Sequence, residues 1–126
     1  MYQADDQWLV ANGTWGSIRY AVRENGKALA KEFIDALDDP QKRKLSALFE
    51  KMANFGIIRN RTKFKKVSGD IFEFKRHQIR IGCFRVERTW YLTHGFFKKT
   101  DRWLSSELQR ANDIRSEHLA KHGPVP

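Results

Sequence analysis

Cysteine is all but missing from this sequence. Cys83 stands alone, so no disulfide can form within the chain and a reducing compartment is expected. No apolar run approaches the ~20 residues that a membrane span needs. The opening stretch, Met1-Tyr2-Gln3-Ala4-Asp5-Asp6, lacks the basic and apolar regions of a signal peptide. A cytoplasmic location, with no membrane contact, is the expectation. Also missing are a Walker loop, a dinucleotide-type glycine fingerprint, a zinc-type Cys/His set and a serine nucleophile elbow. Those absences argue against nucleotide-cofactor chemistry, and neither a cofactor nor a metal is expected.

Acidic residues are short as well, 15 against 24 Lys and Arg, for a net charge of +9. The imbalance is local. Residues 59–102 hold 13 Lys and Arg but 4 Asp and Glu, whereas the rest of the chain carries 11 of each sign. Positive charge gathered into one stretch is the electrostatic mark of a face that binds a polyanion. The remaining composition, 40% hydrophobic in 126 residues, suits one folded domain with one core.

Along the chain, residues 1–14 show no clear period and are taken as an N-terminal arm, within which Trp8-Leu9-Val10 is a short strand or a packing segment. Residues 15–122 form the domain, and 123–126 a frayed tail. Ile18, Tyr20 and Val22 alternate with basic residues and predict a strand over 15–23. A helix starts after Asn25-Gly26 and places Leu29, Phe33, Ile34 and Leu37 on one face. Asp38-Asp39-Pro40 ends it and begins a second helix, with Asp39 as N-cap and Pro40 first in the helix. Leu45, Leu48, Phe49 and Met52 form the buried stripe of that helix, which ends near Gly56. The short connection predicts an antiparallel helical hairpin.

Residues 57–70 read as a basic linker. Three strand-like runs follow at hairpin spacing, over 71–75, 79–86 and 89–94, and predict an antiparallel meander. A last helix over 105–120 would turn Leu104, Leu108, Ala111 and Ile114 to the core. The order β-α-α-β-β-β-α specifies an α+β fold, a twisted and mainly antiparallel sheet covered on one face by the helical hairpin. The other face stays open for the basic residues.

Several pieces resemble the RelE/HigB superfamily of toxins, in particular its phage-derived HigB-like branch. They are Ile71-Phe72-Glu73-Phe74-Lys75, Ile79-Arg80-Ile81, His94-Gly95-Phe96-Phe97-Lys98-Lys99-Thr100 and Ala111, with Glu32-Phe33-Ile34-Asp35-Ala36-Leu37 and Lys65-Lys66-Val67-Ser68-Gly69 upstream. The resemblance covers roughly residues 15–120. It implies a RelE-like fold, metal-independent cleavage of messenger RNA on the translating ribosome, and a cognate antitoxin of helix-turn-helix type. Lys75 stands where the branch has arginine, and Glu73 where some members carry lysine. Trp103 lies near the place of a tyrosine that several members have before the last helix.

Metal-free RNA cleavage needs a base for the ribose 2′-hydroxyl, cations for the phosphorane and an acid for the leaving 5′ oxygen. Arg80 lies between Ile79 and Ile81, so alternation points it away from the core, where its guanidinium would grip the phosphate. Lys75, Lys98 and Lys99 would share charge stabilisation and proton transfer, since a lysine crowded by cations loses proton affinity. His94 is a proton shuttle or a buried, hydrogen-bonded histidine. Arg59, Arg61, Lys63, Lys65 and Lys66, with Arg76, would track the RNA backbone, with a base stacked on an exposed Phe64 ring. The same run would equally anchor the acidic surface of a partner. The alternatives on the same fold are a toxin acting on DNA gyrase and a nucleic-acid-binding module. His118 and His122 have i, i+4 spacing but lack a third ligand, and Cys83 reads as core.

Overall fold

The computed structural model describes residues 6–122. The predicted tail 123–126, and the first five residues of the predicted arm, lie outside the described residues. The chain is a mixed α+β domain with the order β1 (Leu9–Asn12), β2 (Ser17–Tyr20), α1 (Leu29–Asp35), α2 (Asp39–Phe55), β3 (Phe64–Ser68), β4 (Ile71–Arg76), β5 (Ile79–Val86), β6 (Thr89–Phe97) and α3 (Ser105–His122). The strands make one open sheet in the order β1-β2-β6-β5-β4-β3. Every pairing is antiparallel except that of β2 with β6. None of the helices described is long and apolar enough to cross a membrane.

The meander forms where hairpin spacing put it. Its turns are two residues long: His77-Gln78 between Arg76 and Ile79, and Glu87-Arg88 between Val86 and Thr89. His77 and Glu87 each take a φ of 53°, the left-handed start that matches the twist of a tight hairpin. The same device, with Gly69 at φ 57°, joins β3 to β4.

Five expectations are corrected. Part of the basic linker is strand β3; with the short strand of the N-terminal arm, which forms as β1, it makes the sheet wider at both edges. The helices do not pair as a hairpin: α1 packs on β6, and α2 lies over β1 and β2. The second face of the sheet is covered by α3, whose Ala111 and Ile114 are buried with Ile71 and Phe84. Leu104 is 49% exposed and belongs to neither core cluster, because α3 begins one residue after it. At the start of α2 the cap is Asp38, whose carboxylate accepts from the Gln41 amide at 2.9 Å, and Asp39 is already helical.

The main core lies between α1, α2 and the first face of the sheet. Leu45, Phe49, Met52, Phe74, Ile81 and Leu92 are buried there. Gly56 caps α2 at φ 78°, and a Cβ on it would press 2.5 Å from the Trp15 indole. That close approach fixes where the chain leaves α2 for β3.

Candidate functional site

Alternation along β4 and β5 sends Phe74, Ile79, Ile81 and Cys83 into the main core, and Glu73, Lys75, Arg80 and Gly82 to the α3 side. On β6 a bulge alters the rhythm. Ile81 pairs with Gly95 and Cys83 with Leu92, so Gly82 faces both Thr93 and His94. The bulge turns both side chains toward α3, where the Thr93 hydroxyl meets the His94 Nδ1 at 3.1 Å. Gly82 leaves the room they need: a Cβ there would sit 2.6 Å from Thr93 Oγ1 and 2.8 Å from the Trp103 ring.

Glu73 is the hub of the resulting cluster. Its carboxylate, 4% exposed, accepts from Trp103 Nε1 at 2.9 Å, pairs with Arg80 Nε at 3.3 Å and lies 3.9 Å from Lys65 Nζ. Arg80 has the predicted orientation but not the predicted exposure. It is 7% exposed, and its Nη1 donates to the carbonyls of His77 and Ile79 at 2.6 and 2.9 Å. The segment 96–104 roofs this face, which alternation alone does not reveal. Arg80 forms one wall of a cavity of about 70 Å³ shared with Phe96, Lys98, Trp103 and Glu107. Beyond Trp103 opens a larger cavity of about 440 Å³, reached by Lys65, Lys66, Glu73 and Arg102.

Lys75 sits directly opposite Arg80 in the β4–β5 register. It is half-buried, and its ammonium donates to the Arg61 carbonyl at 3.3 Å. Burial lowers its pKa, and the positive charges of Lys65, Arg80 and Lys98 push the same way against the pull of Glu73. Lys98 is half-buried and 3.6 Å from Asp101, whereas Lys99 is exposed. The structure therefore gathers Lys65, Lys75 and Arg80 on one patch of β3, β4 and β5, and Lys98 and the exposed Lys99 line the cavity of about 70 Å³ with Arg80.

His94 is 2% exposed. Burial pushes its pKa down to about 4, against the opposing pull of Glu107. The neutral ring fits its partners: Nδ1 accepts from Thr93, and Nε2–H donates to Glu107 Oε1 at 3.0 Å. Phe96 and Trp103 close around it with centroids at 5.4 and 5.8 Å. A ring so enclosed positions its neighbours rather than meeting solvent. His118 is engaged elsewhere, its Nδ1 accepting the Val22 amide at 3.1 Å. Among the described residues no three His, Cys, Asp or Glu side chains are grouped to hold a metal.

The backbone-tracking residues divide. Arg59, Arg61 and Lys66 are exposed, Lys63 and Lys65 half-buried, and Arg76 half-buried with an Nε that has no hydrogen-bond partner among the described residues. Phe64 is 3% exposed, so no base can stack on it. Its ring instead packs against Phe72, Phe74 and Trp90. Sequence reasoning missed Glu107 and Thr93, and met Glu73 and Trp103 only as departures from a pattern. One signal was available: a lone glycine inside an apolar strand, here Gly82, marks a bulge or a close approach.

The fold and site define a small α+β domain with a cationic cluster sunk beside an open cavity. More specifically, the chain belongs to the phage-derived protein Gp49-like family (DUF891), a toxin-like family of toxin–antitoxin systems, which it matches over residues 32–116. That span runs from α1 into α3 and includes every member of the Glu73 cluster, but neither β1 nor β2. No curated protein matches the chain.

Proposed function

We propose that the protein is the toxin of a toxin–antitoxin pair and that it cuts messenger RNA on the translating ribosome without a metal, held in check by a helix-turn-helix antitoxin. The observation that carries this reading is that Lys65 and Arg80 pair with one buried carboxylate between two cavities, with Lys75 opposite Arg80 and Lys98 lining the smaller cavity beside it. The family membership and the resemblance to RelE/HigB toxins support it.

Lys75 is the base. Burial, and after it the cationic neighbours, favour its neutral amine, which takes the proton of the 2′-hydroxyl. The 2′ oxygen then bonds to phosphorus and the P–O5′ bond breaks, leaving a 2′,3′-cyclic phosphate. Lys98, as ammonium, returns a proton to the departing 5′ oxygen. Arg80 and Lys65 offset the charge that builds on the phosphorane, and Glu73 sets the guanidinium in place. His94 holds the bulge, and stays neutral.

The test is to map RNA 5′ ends after brief induction. The wild-type chain should create new ends inside coding regions, and Lys75→Ala should lose at least about a hundredfold of them, the usual scale for a proton-transfer group. Intact transcripts with stalled replication would replace this reading with that of a gyrase-directed toxin. Arg80→Ala takes from the buried Glu73 its nearer countercharge, so its effect is informative only beside a melting curve.

A further inference from the structure

The cavity of about 440 Å³ beyond Trp103 carries its charges at two depths. Its one buried charged group is an acid, Glu73, whereas Lys66, Asp101 and Arg102 at the rim are exposed. Between them stand the half-buried side chains of Val67, Trp103 and Leu108, packed on the core beneath α3. Trp103 and Arg80 both engage the same carboxylate oxygen of Glu73, Oε1. Among the described residues the other oxygen, Oε2, has only Lys65 Nζ, 3.9 Å away and beyond hydrogen-bond reach. A buried acceptor is thus left short of a donor beside an open cavity. Phosphate is a poor occupant of that floor, because Glu73 repels it. A neutral group that donates a hydrogen bond suits it. Apolar walls, an acceptor at the bottom and cations at the mouth match a nucleotide entering base first, with its phosphates outside.

We propose that this cavity reads one base of the RNA, and that Glu73 selects a base with an exocyclic amine, adenine or cytosine, over uracil. The inference rests on the RNA reading above and names the nucleotide it favours. The amine projects beyond the ring, so it reaches a sunken oxygen and donates to Oε2. Uracil projects a carbonyl oxygen on either side of its one ring N–H, and these meet the carboxylate as acceptor against acceptor. Trp103 walls the base, and Lys66 and Arg102 take the flanking phosphates. Lys65 lines this cavity and belongs to the cationic patch as well, so the base is read beside the phosphate that the patch holds.

The test measures binding of labelled 2′-O-methyl oligonucleotides, which cannot be cut, to the full chain. Oligocytidine should bind about tenfold tighter than oligouridine, the worth of one good base contact. Oligoadenosine should exceed its analogue lacking the N6 amine by about the same factor. Glu73→Gln keeps the side-chain shape but offers an amide donor in place of an acceptor. It should erase or reverse the cytosine preference, a ratio that a merely structural Glu73 would not move, with a melting curve to show that the fold is kept. Lys66→Ala with Arg102→Ala, both exposed, should weaken every probe roughly fivefold and leave the ratios intact. Equal binding of all four probes by the wild-type chain overturns the inference and leaves the RNA reading standing. Binding of none also overturns it, and the RNA reading is then judged separately by the mapped 5′ ends. A folded Glu73→Gln variant that retains the full cytosine preference overturns the role of Glu73. If that variant does not fold, the two wild-type comparisons still decide.

Discussion

On one face of the β4–β5–β6 meander, Phe74, Ile79, Ile81, Cys83 and Leu92 bury apolar surface against α1 and α2. On the other face, the same strands carry Glu73, Arg80 and, through the bulge, both Thr93 and His94, all buried beneath the 96–104 segment and α3. The apolar face needs only matching shapes. The polar face holds only while each group keeps its partner, because a buried charge or amide without one costs several kilocalories. The difference teaches where the molecule is robust and where it is poised: the dry face supplies the stability, and the polar face spends some of it to hold cations together.

That contrast can be broken most forcefully on the dry side. Phe74 is fully buried between Phe49 and Phe64, with centroids at 5.0 Å to each. Phe74→Ala should cost about 4 kcal/mol in denaturant unfolding, as ring-sized cavities do. Next in size is Glu73→Ala, which should cost about 3 kcal/mol by stranding the Arg80 guanidinium. Replacing both Glu73 and Arg80 by leucine should cost less than that single change, since no buried charge is then left unpaired and Lys65 can turn to solvent. If the double variant is the worse of the two, the polar face is held by more than pairing.

A smaller effect is expected at the bulge. Gly82→Ala forces a methyl into Thr93 and Trp103 and should cost about 2 kcal/mol, with near-ultraviolet circular dichroism reporting the displaced indole. Acid probes the same face without a substitution. His94 titrates near 4 in the fold against 6.5 ordinarily, so on acidification the unfolded chain takes up this proton first. Stability contributed by the neutral ring is complete above about pH 6.5 and should drain away toward pH 4, at up to about 1.4 kcal/mol per pH unit. His94→Gln should remove that limb from the stability profile while leaving the carboxylate-driven loss at lower pH.

Much of the fold could be read along the chain. The stripe Leu45, Leu48, Phe49, Met52 is buried as its period requires, and the meander runs between the turns that its spacing marks. β3 escaped notice for a physical reason. It is the last strand of the sheet, and lysines, which protect an edge from further pairing, conceal its alternation; a bulge between Lys66 and Ser68 interrupts what is left. The site was legible only in its charge. Arg80 was singled out by alternation and Lys75 by the family resemblance, and the predicted hairpin between their strands places them opposite each other. Glu73 and Trp103, 30 residues apart, meet through the docking of the 96–104 segment, and no local pattern records that contact.

By itself, then, the order of side chains determined the periods, the turns, the concentration of positive charge and the face toward which Arg80 points, because each depends on residues a few positions apart. Tertiary structure alone decided that Arg80 is buried rather than open, that a glutamate stands at the centre of the cations and that Phe64 is lost to the core while Ile57 is left outside. Those outcomes depend on which distant segment covers which surface. That choice is a property of the packed whole and is written at no single point of the chain.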